Sequence, residues 1–369
     1  VGDAVAAAAA ELTDLVGDRA DGWDRAGRLP EDVVRELAAT GRLAAQIPAR
    51  HGGLGWSSAD GGEFTAHTGS LCGSLRSVMT SQGMAAWTVE RLGDPEQAAR
   101  LLPRLASGGT AAVAFSEPGA GSDLSAVATT AVLDGDTVVL DGRKTWVTAA
   151  GLADLLLVVA RMDEGAAVAV VPRDTPGLRI RRVQDPTGFR AAGHADLRLD
   201  GVRLPADCLL GGGRQPLSLL VTTALAFGRL SVAWGCVGIL RACVTAAARH
   251  AAARHQFGKP LGSHQLVARH LADLWTGEQI ATRACEHASR SWDRNAPDLG
   301  TAVVLAKHIG AEQAARGAAA AAQVLASAGA TDGHVVARAH RDAALTRIIE
   351  GTDEVCQLLL ADHVLRSRG

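Results

Sequence analysis

Apolar residues recur at helical spacing from the start of the chain to about residue 108, broken by start and stop signals such as Pro30-Glu31-Asp32 and Gly41. This region reads as helical, except for His51-Gly-Gly-Leu-Gly-Trp56, whose glycines predict an irregular loop between helices. From about residue 110 to 210 the period changes. Short β-branched runs at 130–133 and 137–140 flank Asp134-Gly135-Asp136, which predicts a β-hairpin, and runs at 155–160, 167–171 and 195–199 extend it into a small β domain. Beyond about Pro216 long Ala- and Leu-rich helices return, over 217–255, 263–292, 298–327 and 334–366. Helix, then sheet, then a bundle of four helices is an α+β arrangement.

Composition and charge narrow the function classes. With 369 residues, 47% hydrophobic and 21% charged, the chain has the make-up of an ordinary globular enzyme, although alanine is over-used and tyrosine is absent. The 37 basic and 39 acidic side chains leave a net charge of -2, with no basic excess to bind nucleic acid. Cys72, Cys208, Cys236, Cys243, Cys285 and Cys356 are scattered without a CxxC pair, so they read as reduced thiols rather than a metal site. The alanine-rich start lacks a basic n-region and runs into Glu11 and Asp14, which argues against a signal peptide. The longest charge-free stretch, 317–331, is 15 residues, short of the roughly 20 needed to span a bilayer. A cytoplasmic protein with no membrane span is the expectation.

Four segments offer chemistry. Phe115-Ser116-Glu117-Pro118-Gly119-Ala120-Gly121-Ser122-Asp123 lies where helix gives way to strand, and its free backbone and hydroxyls suit a domain linker or a cradle for phosphate or a polar ring edge. Lys144-Thr145-Trp146-Val147-Thr148 closes a strand with a flat indole and a hydroxyl, a pattern also met in ordinary rim packing. Arg254-His255-Gln256-Phe257-Gly258-Lys259 follows a long helix, where basic residues also suit the helix dipole. In Arg347-Ile348-Ile349-Glu350-Gly351-Thr352-Asp353-Glu354 a carboxylate sits among apolar neighbours, which can desolvate it and raise its pKa as a general base requires; an exposed helical glutamate would read alike. Arg229, alone between uncharged stretches of 14 and 11 residues, should be buried and should meet something acidic.

Taken in this order and at these separations, the segments resemble the acyl-CoA dehydrogenase family over nearly the whole chain. The resemblance implies a helical domain at 1–109, a β-barrel domain at 110–214 and a four-helix bundle at 215–369, with FAD as cofactor. Phe115 and Ser116 would lie beside the isoalloxazine, Ser122 and Thr352 toward the pyrophosphate, and Trp146 and Thr148 against the ring. Arg254, Phe257 and Gln323 match residues that reach the FAD of a neighbouring subunit, which implies a homodimer or homotetramer. Glu350 matches the base that removes the proton alpha to a thioester carbonyl while a β-hydride passes to the flavin, and Arg229 matches an arginine held near it. The chain departs from the common pattern at Ile349, Gln256 and Ala326-Ser327.

Within the family the cast is most similar to the dehydrogenases that act with an acyl carrier protein in hydroxymalonyl or methoxymalonyl polyketide extender-unit biosynthesis. That implies a small oxygenated acyl thioester on carrier protein or CoA, with electron-transfer flavoprotein or another acceptor downstream. The basic segment with Arg179, Arg181, Arg182 and Arg190 is the candidate docking mouth for a carrier, against a plain reading as a solvated β-domain edge. The alternatives are a catabolic short-chain acyl-CoA dehydrogenase and, in another class, a flavin-free helical interaction protein.

Overall fold

A computed structural model describes residues 2–368. The first third is helical: α1 (Asp3–Val16), α2 (Ala20–Ala26), α3 (Glu31–Ala39), α4 (Ser58–Leu71), α5 (Gly73–Leu92) and α6 (Pro95–Ala106). The start of α6 shows how local sequence fixes an element. Asp94 accepts the Gln97 N–H at 2.8 Å, the Gln97 side chain accepts the Asp94 N–H at 3.0 Å, and Pro95 supplies a preset φ where no donor is needed. Gln97 then donates to the carbonyls of Asp207 and Leu209, which ties the helix to the end of the sheet.

The middle region holds β1 (Ala111–Ala114), β2 (Thr130–Asp134), β3 (Thr137–Val147), β4 (Leu155–Arg161), β5 (Ala166–Pro172), β6 (Leu178–Arg182) and β7 (Ala195–Pro205). These make one seven-stranded sheet in the order β1-β4-β2-β3-β7-β6, with β5 also paired to β4. The expected hairpin is β2–β3, in register from Thr130↔Asp141 to Asp134↔Thr137. The sequence pattern passes over β1 and β6. The first is four residues of mostly alanine, and the second is an edge strand whose outward positions are arginine, so neither carries β-branched alternation.

The last region comprises α7 (Leu217–Ala253), a small ribbon of β8 (His255–Gln256) and β9 (Lys259–Pro260), then α8 (Gln265–Asp293), α9 (Leu299–Leu325), α10 (Val335–Thr346) and α11 (Asp353–Arg368). One correction matters for function: the helix expected over 334–366 is two helices, and the break between them contains Glu350. The α7 helix is apolar nearly all round because α4, α5, α8 and α9 all pack on it. The α5 helix is buried along its whole first part, from Gly73 to Ala86, between the bundle and the sheet. The site forms where α5, α7, the α10–α11 break and the strand ends meet.

Candidate active site

The α10–α11 break is a closed loop. Arg347 Nε donates to Asp353 Oδ2 at 2.5 Å and the Asp353 N–H reaches the Arg347 carbonyl at 3.0 Å, which pinches its ends together. Glu350, at φ +56°, and Gly351, at φ +94°, turn the chain inside it. A left-handed glutamate is unfavourable by roughly 1–2 kcal/mol, and two buried cations offset this by gripping the turned backbone. Arg229 Nε donates to the Glu350 carbonyl at 3.1 Å, and Lys307 Nζ to the Gly351 carbonyl at 2.6 Å. Arg229 is buried as expected, but what it meets is the neutral main-chain carbonyl of Glu350, and it makes no salt bridge among the described residues.

With the backbone held in this way the carboxylate is left over. Its Oε2 is buried without a hydrogen-bond partner among the described residues. A Cβ on Gly228 would fall 2.5 Å from that oxygen, so only glycine admits it there. Burial raises the Glu350 pKa to about 7, against the opposing pull of Arg229, Lys307 and Arg76. A carboxylate poised near neutrality, with a free lone pair, is equipped to accept a proton. Among the described residues the Glu350 N–H donates to no acceptor in the chain.

The second half of the site lies at the strand ends. The loop after β1 is anchored from inside: Glu117 accepts the Ala128 N–H at 2.7 Å and the Thr129 N–H at 3.0 Å, and pairs with Lys144 Nζ at 2.7 Å. Lys144 also donates to the Phe115 carbonyl at 3.0 Å and is fully buried. Burial pushes the Glu117 carboxylate up, but these hydrogen bonds outweigh it and hold it below its ordinary range. Phe115 is thereby fixed in the core, Ser116 is half-buried and Ser122 is exposed. At the end of β3, Thr145 donates its hydroxyl at 2.8 Å and Trp146 its N–H at 3.2 Å to Asp196 of β7, which holds Trp146 at φ +55° with the residue 52% exposed. Thr148 Oγ1 lies 3.3 Å from His194 Nδ1, and the His194 ring is 5.7 Å from that of Trp146. His194 Nε2 is buried and unpartnered, and burial, then the Arg76 charge, push its pKa down to about 4.

An exposed indole, a free hydroxyl loop and an orphaned ring nitrogen fit a flat polar heterocycle. Thr352 caps α11 by accepting the Val355 N–H at 3.3 Å, and the pocket at that helix start is lined by Thr352, Arg347 and His340 together with the carboxylates Asp353 and Glu354, of which Asp353 is already paired with Arg347. The residues thus fit FAD. A cavity of about 220 Å³ between α4, α5, α7 and α8, walled by Trp87, Phe227, Trp234 and Trp292, does not include Glu350 in its lining.

Three candidates stand apart from this cluster. Arg254 follows α7 and lies 25 residues beyond Arg229, about 37 Å along the helix. Phe257 sits at the tip of the β8–β9 ribbon, where positive φ at Phe257 and Gly258 makes a type I′ turn, and it is 94% exposed. Gln323 is exposed near the end of α9, 16 residues from Lys307, or about 24 Å. None of the three can share a site with Glu350 of the same chain. The proposed mouth arginines also separate. Arg181 is 84% exposed beside Asp196, and Arg182 meets the Gly27 carbonyl. Arg190, by contrast, is locked between Asp332 at 3.3 Å and Asp24 at 3.7 Å, so it belongs to an internal network and not to an open basic patch.

Family models for acyl-CoA dehydrogenase N-terminal, middle and C-terminal domains match residues 3–109, 112–202 and 219–365. The chain belongs to the acyl-CoA dehydrogenase family. It is 32% identical to a probable acyl-CoA dehydrogenase, YngJ, of Bacillus subtilis, over 95% of this chain and 94% of that one. Among solved structures it resembles FkbI, described as serving biosynthesis of the methoxymalonyl extender unit of the FK520 polyketide immunosuppressant, with 61% identity, TM-score 0.93 and coverage of 97% and 99%. It also resembles a glutaryl-CoA dehydrogenase of Mycobacterium smegmatis in complex with FADH2, with 26% identity, TM-score 0.93 and coverage of 100% and 96%. The enzymes of this acyl-CoA dehydrogenase family are FAD-dependent oxidoreductases, which agrees with the fit at Trp146, Thr148 and the β1 loop.

Glu117 and Lys144 stand inside the sequence motifs with no role assigned to either, and Lys307, Asp196 and His194 lie outside them. Only Lys144 had a usable signal, a lone lysine in an alternating strand at a position that the alternation assigns to the interior.

Proposed function

We propose that this protein is an FAD-dependent dehydrogenase of a small oxygenated acyl thioester, carried on an acyl carrier protein, in the making of a methoxymalonyl-type polyketide extender unit. The single observation that carries the chemistry is the buried, unpartnered Glu350 oxygen, which crowds Gly228 together with Met84 of α5, the helix whose Ser81 donates to the Thr148 carbonyl at 3.0 Å on the ring-binding face. The choice of acyl group is supported by the 61% identity to FkbI over nearly the whole chain.

Glu350 takes the α proton onto an oxygen that has no hydrogen bond to give up. As charge moves to the thioester oxygen, the free Glu350 N–H is available to donate to it, a preorganised contact that strengthens in the transition state. Arg229 and Lys307 keep amide and carboxylate aimed by holding the carbonyls on either side of the turn. Bound FAD supplies the acceptor for a hydride from the β carbon. Trp146, with its backbone fixed by Asp196, and Thr148 would orient the ring, and Ser116, Ser122 and Thr352 would hold its polar side and phosphates.

Arg254, Phe257 and Gln323, too distant from their own Glu350, serve the flavin of a second copy, so the working unit is a homodimer or a homotetramer built from it. Arg254→Ala then weakens FAD binding and loosens the oligomer together; titration with FAD and gel filtration measure both, and unchanged values in each would refute the arrangement. Six free, buried cysteines are consistent with a reducing, cytoplasmic setting. Electron-transfer flavoprotein or another acceptor would be the partner that reoxidises the bound cofactor.

Carrier choice is made at the mouth, since CoA and carrier protein share the phosphopantetheine arm. Arg181 and Arg182 are the exposed cations available to an acidic carrier, with Arg190 a structural neighbour. A hydroxylated three-carbon acyl group on carrier protein should bleach the flavin faster than the same group on CoA in stopped-flow mixing. Neutralising Arg181 and Arg182 should remove that preference and leave reduction by the CoA form nearly intact. Faster reduction by butyryl-CoA than by any carrier-bound acyl group would instead favour a catabolic short-chain enzyme, and a protein that stays colourless with FAD would be a flavin-free relative.

A further inference from the structure

The turn before β7 places a histidine in the interior beside the ring-binding face. Residues 192–194 are stitched to the chain that follows β3: the Ala149 N–H donates to the Ala192 carbonyl at 3.0 Å and the Gly151 N–H to the Gly193 carbonyl at 2.9 Å. On the other side the Val183 N–H donates to the His194 carbonyl at 2.9 Å, so the backbone of His194 is fixed. The residue is 8% exposed, and its ring is tilted by 58° against that of Trp146. Its Nδ1 lies 3.3 Å from the Thr148 hydroxyl, which has no other hydrogen-bond partner among the described residues. Thr148 is held as well, because its carbonyl accepts the Ser81 hydroxyl at 3.0 Å.

Which side donates across that 3.3 Å contact decides what Thr148 has left to offer a bound ring. Burial, and then the charge of Arg76, push the His194 pKa down to about 4, so the imidazole is neutral and carries a single N–H. On Nε2 that hydrogen would have no acceptor among the described residues. The Phe189 carbonyl pulls the pKa the other way, but it already accepts the Ala192 N–H at 2.9 Å and makes no hydrogen bond to Nε2. Orphaned buried N–H groups are rarer in proteins than under-used acceptors. The hydrogen therefore belongs on Nδ1, where Thr148 Oγ1 accepts it, a tautomer set by the hydrogen bonds available. A hydroxyl has one hydrogen and two lone pairs, so the Thr148 O–H is left free at a half-buried position on the ring-binding face.

We propose that His194, held as the Nδ1–H tautomer, is the positioning residue that turns the Thr148 hydroxyl into a donor toward an acceptor atom on the edge of the bound ring. With the opposite tautomer the hydroxyl would commit its hydrogen to Nδ1 and could only accept from the ring. The inference rests on the reading of Trp146 and Thr148 as the flavin face. His194 acts through Thr148 and takes no part in the proton or hydride transfer.

Two measurements on the FAD-loaded enzyme test this without turnover. The first is nitrogen NMR of protein carrying isotope-labelled histidine, with the His194 signals identified by their absence in His194→Asn. The expected result is a hydrogen on Nδ1, a bare Nε2, and a ring still neutral at about pH 5.5, where an ordinary histidine is mostly charged. A hydrogen on Nε2, or a charged ring at that pH, overturns the proposal. The second is a double-mutant cycle on FAD affinity with His194→Leu, Thr148→Val and the pair. His194→Leu should weaken FAD binding roughly two- to tenfold, the scale of one hydrogen bond, and the double variant should bind no worse than Thr148→Val alone. His194→Asn, whose amide N–H can stand where Nδ1–H stood, should recover most of the affinity. Losses that simply multiply in the double variant, with no recovery by asparagine, would mean that His194 only packs in the wall. Should His194→Leu fail to fold, the NMR result on the wild type decides. A wild type that binds no FAD would sink the flavin reading itself, whereas multiplying losses on a tight wild-type complex sink only the part given to His194.

Discussion

Glu350→Gln keeps the fold and the flavin and loses about 10²- to 10⁴-fold in turnover, the usual contribution of a positioned general base. The amide is nearly isosteric, so the space that Gly228 leaves is filled as before, and the main-chain grips of Arg229 and Lys307 on this turn are unaffected. Only the ability to accept a proton is gone. Flavin absorbance and thermal unfolding should match the wild type, while steady-state rates collapse; a loss below about tenfold would mean that the base lies elsewhere. The same residue sets the pH profile. Burial raises its pKa to about 7, and the reactive form is the carboxylate, so kcat/KM of the wild type should rise with pH below about 7 and level off above it.

Lys144→Met destabilises the protein by about 3–5 kcal/mol, because it strands the Glu117 carboxylate in the interior with only two N–H donors left. The loop from Phe115 to Ser122 is held to the sheet through that carboxylate and through the Phe115 carbonyl, so FAD affinity should fall with stability. Adding Glu117→Gln should recover much of the loss by removing the orphaned charge. Denaturant titration of the three variants measures this. A loss below about 1 kcal/mol for Lys144→Met, the worth of one ordinary hydrogen bond, would show that Ala128 and Thr129 suffice to hold Glu117.

Periodicity reveals the three regions because each is long and its signal is summed over many residues. The α10–α11 break is not legible in the same way. What holds it open is Lys307, 44 residues away, and Arg229, 121 residues away, contacts that leave no local pattern in Arg347-Ile348-Ile349-Glu350. The isolation of Arg229 in an uncharged run did announce its burial. The same signature marks Arg76, which stands between uncharged stretches of 12 and 13 residues, and the rule applied to one arginine would have found the other. Trp146, Phe257 and Glu350 share a left-handed backbone that only the folded chain reveals. Arg190 looked like a surface cation because its partners, Asp24 and Asp332, come from distant parts of the chain.

The central claim is that Glu350 removes the proton alpha to a thioester while a hydride leaves the β carbon. Anaerobic stopped-flow bleaching of the bound flavin, with α-deuterated and β-deuterated three-carbon acyl thioesters on carrier protein, tests it most directly. The account predicts that either label slows bleaching by the wild type and that Glu350→Gln scarcely bleaches at all. Bleaching that is indifferent to the α label, or that survives Glu350→Gln within tenfold, would contradict it.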